Sequence, residues 1–167
     1  PAIIAPATTE STTPLILPRI APSIQVLHDY ASTGLSLKAH PVSFLRQTLE
    51  AKGCIAASAL ATVPLRGIQG RQRSATVAIA GIVLGRQRPS TAKGIMFVTV
   101  EDESGPANII VRPKVYEQYR RAARHSTLML IRGSVERQGQ VVHLIARRIE
   151  DVSPLLSGLN TSSRDFR

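Results

Sequence analysis

Three carboxylates stand in a row at Glu101, Asp102 and Glu103. Such a run could hold metal ions for phosphoryl transfer, but a two-metal centre needs carboxylates converging from several elements. The rest of the sequence offers few, and neighbouring residues of a strand point to opposite faces. With Ser104 and Gly105 following, the trio reads instead as a tight turn whose side chains serve their own backbone. His28, His40, His125 and His143 lack metal-ligand spacing, and no phosphate loop or nucleophile elbow is present. Cys54, the single cysteine, excludes an intrachain disulfide or thiolate cluster. The expectation is no catalytic centre, no metal and no cofactor.

The cationic groups point elsewhere. Lys and Arg number 21 against 11 Asp and Glu, a net charge of +10. A surplus of that size favours a polyanion, because neutralising phosphates releases counterions. Most of the cations are arginines, suited to bidentate phosphate contacts and to stacking on bases. An anionic membrane, an acidic protein or simple solubility would also use such charge; nucleic acid is the favoured partner. Arg86, Arg88 and Lys93 fall on one expected loop, where they could close over a phosphate backbone. The triplet Arg120, Arg121 and Arg124, on the helix after strand three, could touch nucleic acid or only cover the barrel end with solvated charge; the second reading leads.

These groups need a frame. The chain is 43% hydrophobic but only 4% aromatic, with no Trp, so its core must be aliphatic. Residues 1–22 form a Pro/Thr-rich arm, 23–62 a helical segment, 63–73 a basic connector, 74–153 the main domain and 154–167 a polar tail. In the helical segment Ser23 caps one short helix, and Pro41 opens a second that Gly53 stops. After the connector the period becomes strand-like. Strands are expected at 75–87 (bent at Gly81), 95–100, 107–111, 128–136 and 141–149, with one helix at 114–125 facing Val115, Tyr119 and Ala122 inward. This is the order of a mainly β chain, a five-stranded OB-fold barrel with a helix between strands 3 and 4, preceded by a short α-helical segment.

Pleat alternation then sorts the side chains. Met96, Val98 and Val100 go inside, with Phe97 and Thr99 outside. Ala107, Ile109 and Val111 go inside, with Asn108, Ile110 and Arg112 outside. Val142, Leu144 and Ala146 go inside, with His143, Ile145 and Arg147 outside. The expected nucleic-acid-binding set is therefore Arg86, Arg88, Lys93, Phe97, Thr99, Asn108, Arg112, Arg147 and His143, with Phe97 as a stacking platform. The single cysteine fits a reducing cytoplasm; no run of about 18 apolar residues suggests a membrane span and no signal peptide is visible. The start at Pro1 rather than Met suggests a piece of something longer.

The run STGLSLKAHPVSFLR (32–46), then AGIVLGRQRP (80–89), TAKGIMFVTVEDESG (91–105) and the ending SRDFR (163–167) resemble the C-terminal part of the error-prone, damage-inducible paralogue of the bacterial C-family replicative polymerase. The resemblance covers roughly residues 24–167. It implies translesion synthesis with the catalytic palm outside this chain, and an OB domain contacting single-stranded template DNA. It also implies partners from the same mutagenesis cassette, an inactive Y-family polymerase homologue and an accessory protein. A Gly-x-Val, basic loop, Phe and Asp pattern is likewise similar to the anticodon-binding barrel of class IIb aminoacyl-tRNA synthetases, where the matching Phe stacks on a base. The barrel could alternatively serve as a protein-docking module.

Overall fold

The computed structural model describes residues 39–68 and 71–162. The expected arm at 1–22, the helix beginning at Ser23 and the 163–167 ending lie outside these. A 3-10 turn, Pro41–Leu45, runs into helix α1 (Arg46–Ala51), which ends at Gly53 with φ of +81°. A second 3-10 turn, Ala57–Thr62, follows. Then come β1 (Arg66–Ile68), β2 (Arg71–Gln87), β3 (Met96–Asp102), β4 (Gly105–Val111), α2 (Pro113–Gln118), α3 (Arg120–His125), β5 (Leu128–Gln138), β6 (Val141–Asp151) and α4 (Pro154–Ser162).

Sheet order is β1-β2-β3-β4-β6-β5, and β5 returns to pair with β2. Strands β2 to β6 therefore close into a ring, with β4 and β6 parallel and the other neighbours antiparallel. Two features let β2 serve both sides of the closure. Gly81 brings its backbone so close to Glu101 that a Cβ would sit 2.8 Å from the Glu101 carbonyl oxygen, and the register against β3 shifts between Val83 and Gly85. Such irregularities bend a strand and raise its twist.

The ring is filled by Ile79, Val98, Val100, Ile109, Val111, Met129, Ile131, Val135 and Leu144, each at most 1% exposed. At about 1.5–3 kcal/mol per fully buried aliphatic side chain, this core dominates the stability of the barrel. A second core lies outside the ring. There Ala78, Ala80, Ile82, Leu128 and Leu130 meet Val42, Leu45 and Leu49 of the helical segment, and Val152 and Leu156 of the C-terminal end. The helical segment thus roofs one flank of the barrel. Cys54 is buried within that layer, and burial pushes its thiol up.

Several expectations change here. The supposed connector at 63–73 is largely a strand pair, with Arg66, Gly67 and Ile68 of β1 opposite Arg73, Gln72 and Arg71. The 154–167 tail carries a helix through Ser162, because Leu156 has an apolar surface to cover. The single helix expected at 114–125 breaks at Tyr119 (φ −116°, ψ 29°). That break resets the helical phase, so Tyr116 and Ala123 are the buried residues, while Val115, Tyr119 and Ala122 are only partly covered. No described helix is long and apolar enough to cross a membrane.

Candidate nucleic-acid interface

The uncovered flank of the ring is the outer face of β3, β4 and β6. Alternation on β3 and β4 is clean: Met96, Val98, Val100, Ala107, Ile109 and Val111 are buried, while Phe97 is 38% exposed and Asn108 is open. Register then assembles a row. Gly85 lies opposite Thr99, Thr99 opposite Asn108, and Asn108 beside His143. The adjoining row runs Gln87, Phe97, Ile110, Ile145. Thr99, Asn108, His143 and Phe97 are thus brought together by backbone pairing alone. Ile145 is on the expected outer side but only 5% exposed, flanked by Ile110 and Ser134. It pads the face and does not project from it.

Arg112 and Arg147 each stand two residues beyond the paired Ile110 and Ile145, and both are exposed. Arg147 occupies a bulge, since Ala146 pairs with Gly133 and Arg148 with Arg132, leaving Arg147 without an opposite residue. A bulge re-aims a side chain. Two carboxylates border the face among the described residues. Glu101 lies 3.7 Å from the His40 imidazole, and Glu136 pairs with Arg73 at 2.5 Å.

The expected basic loop divides differently. Strand β2 continues to Gln87, so pleat direction governs Arg86. Arg86 lies opposite Val98, a core residue, and so turns toward the barrel end. Its Nε donates to the Ala123 carbonyl at 2.7 Å and its Nη2 to the Ser126 carbonyl. Burial pulls this guanidinium below its ordinary value, with the charge of Asp151 opposing. Arg86 is therefore a clamp between β2 and α3 and stands apart from the open face. Arg88 stacks 4.3 Å above the ring of the buried Tyr116, a cation–π contact. Lys93 remains an exposed loop cation, in the left-handed conformation (φ 49°).

The acidic trio forms the expected turn and something more. Asp102 Oδ1 accepts from the Ser104 backbone N–H (2.8 Å) and hydroxyl (2.5 Å). Its Oδ2 accepts from the buried Ala57 N–H (2.7 Å) and from Arg46 Nη2 (2.9 Å). Arg46 also pairs with Glu103. Burial pushes the Asp102 carboxyl up, but the bonds from Ser104 and Ala57 and the Arg46 charge outweigh it, leaving the group below its ordinary value. The Arg46 hydrogen bond likewise holds Glu103 low. This clasp ties the helical segment to the β3–β4 turn. Its partners lie 56 residues apart, so no local spacing announced it.

A closed ring in the order β2-β3-β4-β6-β5, with helices between β4 and β5 and an open face on β3 and β4, is the OB-fold. Residues 77–152 match the family described as OB-fold nucleic acid binding domain. Over most of its length the chain is also similar to error-prone DNA polymerases. It is 45% identical over 142 residues, 85% of the chain, to that of Azoarcus sp.. It is 42% identical over 165 residues, 99% of the chain, to that of Rhodopirellula baltica, and 42% identical over 142 residues to error-prone DNA polymerase 3 of Agrobacterium fabrum. The chain spans only 13%, 14% and 12% of the length of these relatives.

Proposed function

We propose that this chain is a non-catalytic nucleic-acid-binding region of a longer error-prone DNA polymerase, and that it holds single-stranded template DNA on the outer face of β3, β4 and β6. The observation that carries this reading is the row Thr99, Asn108 and His143 beside Phe97. It is an uncovered strip with a ring and adaptable polar groups, bounded by Arg112 and Arg147, with Glu136 at its border paired to Arg73. An exposed ring suits any base, because every base has a π-face, and flanking cations follow the backbone. The chemistry of synthesis then belongs to other parts of the polymerase, acting past template lesions in the cytoplasm, in company with the mutagenesis-cassette partners.

Amide chemical shifts followed during titration with oligothymidylate test the assignment. The expected perturbations cluster at Phe97, Thr99, Asn108, Ile110, Arg112, His143 and Arg147. Perturbations confined to the roofed flank, or to the Leu84 region, would overturn it. Leu84 is the most exposed large apolar residue described, at 57%. A response there only to a protein partner would instead favour a docking module. A matched oligouridylate distinguishes DNA from RNA, since a 2′-hydroxyl contact would favour the latter.

A further inference from the structure

We propose that α3 is a second phosphate-binding site, over which a nucleic-acid strand continues beyond the end of the barrel. The direction of that path rests on the outer-face reading above; the site itself rests on α3. Arg120, Arg121, Arg124 and His125 together line one open groove that contains no carboxylate. Glu117 is 4.0 Å from Arg120, with both side chains about 60% exposed, where a pair contributes little. Asp151 borders the adjoining groove, but its Oδ1 already accepts from the Ser153 backbone N–H (3.0 Å) and hydroxyl.

The array is unfavourable without a ligand. Arg120 and Arg124 are four residues apart, and Arg121 and Arg124 three, spacings at which like charges repel on a helix. The helix dipole welcomes Arg124 and His125 in the last turn but disfavours Arg120 and Arg121 in the first. A bound phosphodiester would relieve both effects. The backbone carrying these groups is also held firmly. Ala123 is fully buried, Arg86 donates to the Ala123 and Ser126 carbonyls, and the Ser126 hydroxyl donates to the Ala122 carbonyl at 2.7 Å. Binding then has to order the arginine side chains but not the backbone that carries them. Helix α3 packs on β6, the strand that carries Arg147, so a strand leaving the outer face past Arg112 and Arg147 meets α3 next.

The test uses the whole chain with oligothymidylates of about 6 and about 16 nucleotides, toward the lower and upper ends of the usual span of one such barrel. The triple variant R120A/R121A/R124A is expected to bind the long oligomer about tenfold more weakly at 50 mM salt. Its salt slope should be shallower by about 2, three phosphates at roughly 0.7 each. Binding of the short oligomer should be unchanged, and the triple Arg→Lys variant should restore the slope. Unchanged binding of the long oligomer, or equal loss on both lengths, would overturn the site. If F97L/R112A/R147A binds both lengths like the parent while the α3 variant loses the long one, the outer-face reading fails and the α3 site stands. A chain that binds neither oligomer refutes both.

Discussion

Replacing Asp102 with Ala removes a side chain with no exposed surface and the acceptor for Ala57, Ser104 and Arg46 together. The Ala57 N–H is buried, and leaving such a donor unpaired costs about 1–3 kcal/mol. Arg46 keeps Glu103 and is itself 17% exposed, so the loss falls near the low end of the range for breaking a buried pair, about 3 kcal/mol. For a chain of this size that lowers the melting temperature by roughly 10 °C. The acid response supplies a second signature. Because the folded-state pKa of Asp102 lies below its ordinary value, its contribution is present above the unfolded value near 4. It is lost as pH falls through the folded value. The variant should therefore lose less stability than the parent between about pH 5 and pH 3. Urea unfolding followed by circular dichroism at both pH values measures this. A loss under about 1 kcal/mol at pH 7, or an acid sensitivity equal to that of the parent, would refute the clasp.

Gly133→Ala places a Cβ 2.1 Å from the Ile145 carbonyl oxygen, against backbone that cannot yield. A destabilisation of about 3 kcal/mol or more is expected, and a melting temperature matching the parent would contradict the packing of β5 on β6. Arg86→Ala should cost about 1–2 kcal/mol of stability by stranding the Ala123 and Ser126 carbonyls, with oligonucleotide affinity nearly unchanged in a titration; lost affinity at unchanged stability would return Arg86 to the interface. Phe97→Leu keeps an apolar cover and removes the π-face. It should weaken binding by about 1–2 kcal/mol, roughly five- to thirtyfold, at an unaltered salt slope, and equal affinity would exclude stacking there.

Much of the barrel was readable because burial alternates at 96–100 and 107–111, as one buried face requires. The same rule placed Phe97, Thr99, Asn108 and His143 together. Arg86 obeys it too, because the strand continues to Gln87 and alternation opposite Val98 turns it inward, away from the expected loop. The outer core escapes that rule. Leu128, Met129, Leu130 and Ile131 are buried in succession, and an unbroken apolar run signals a strand covered on both faces. That run implied a roof over β5, which the helical segment and α4 supply. The break at Tyr119, which decides which helical residues face inward, has neither Gly nor Pro to mark it. Clasps such as Arg46 to Asp102 join distant segments, so they become visible only once the fold is known.

Fluorescence anisotropy with matched single- and double-stranded DNA across a salt series tests the outer-face assignment most directly. Tighter binding of the single strand is expected, weakening linearly in log salt, with R112A/R147A lowering the slope by about 1.4, two phosphates at roughly 0.7 each. Equal affinity for both forms, or a slope that the two substitutions leave untouched, would contradict it.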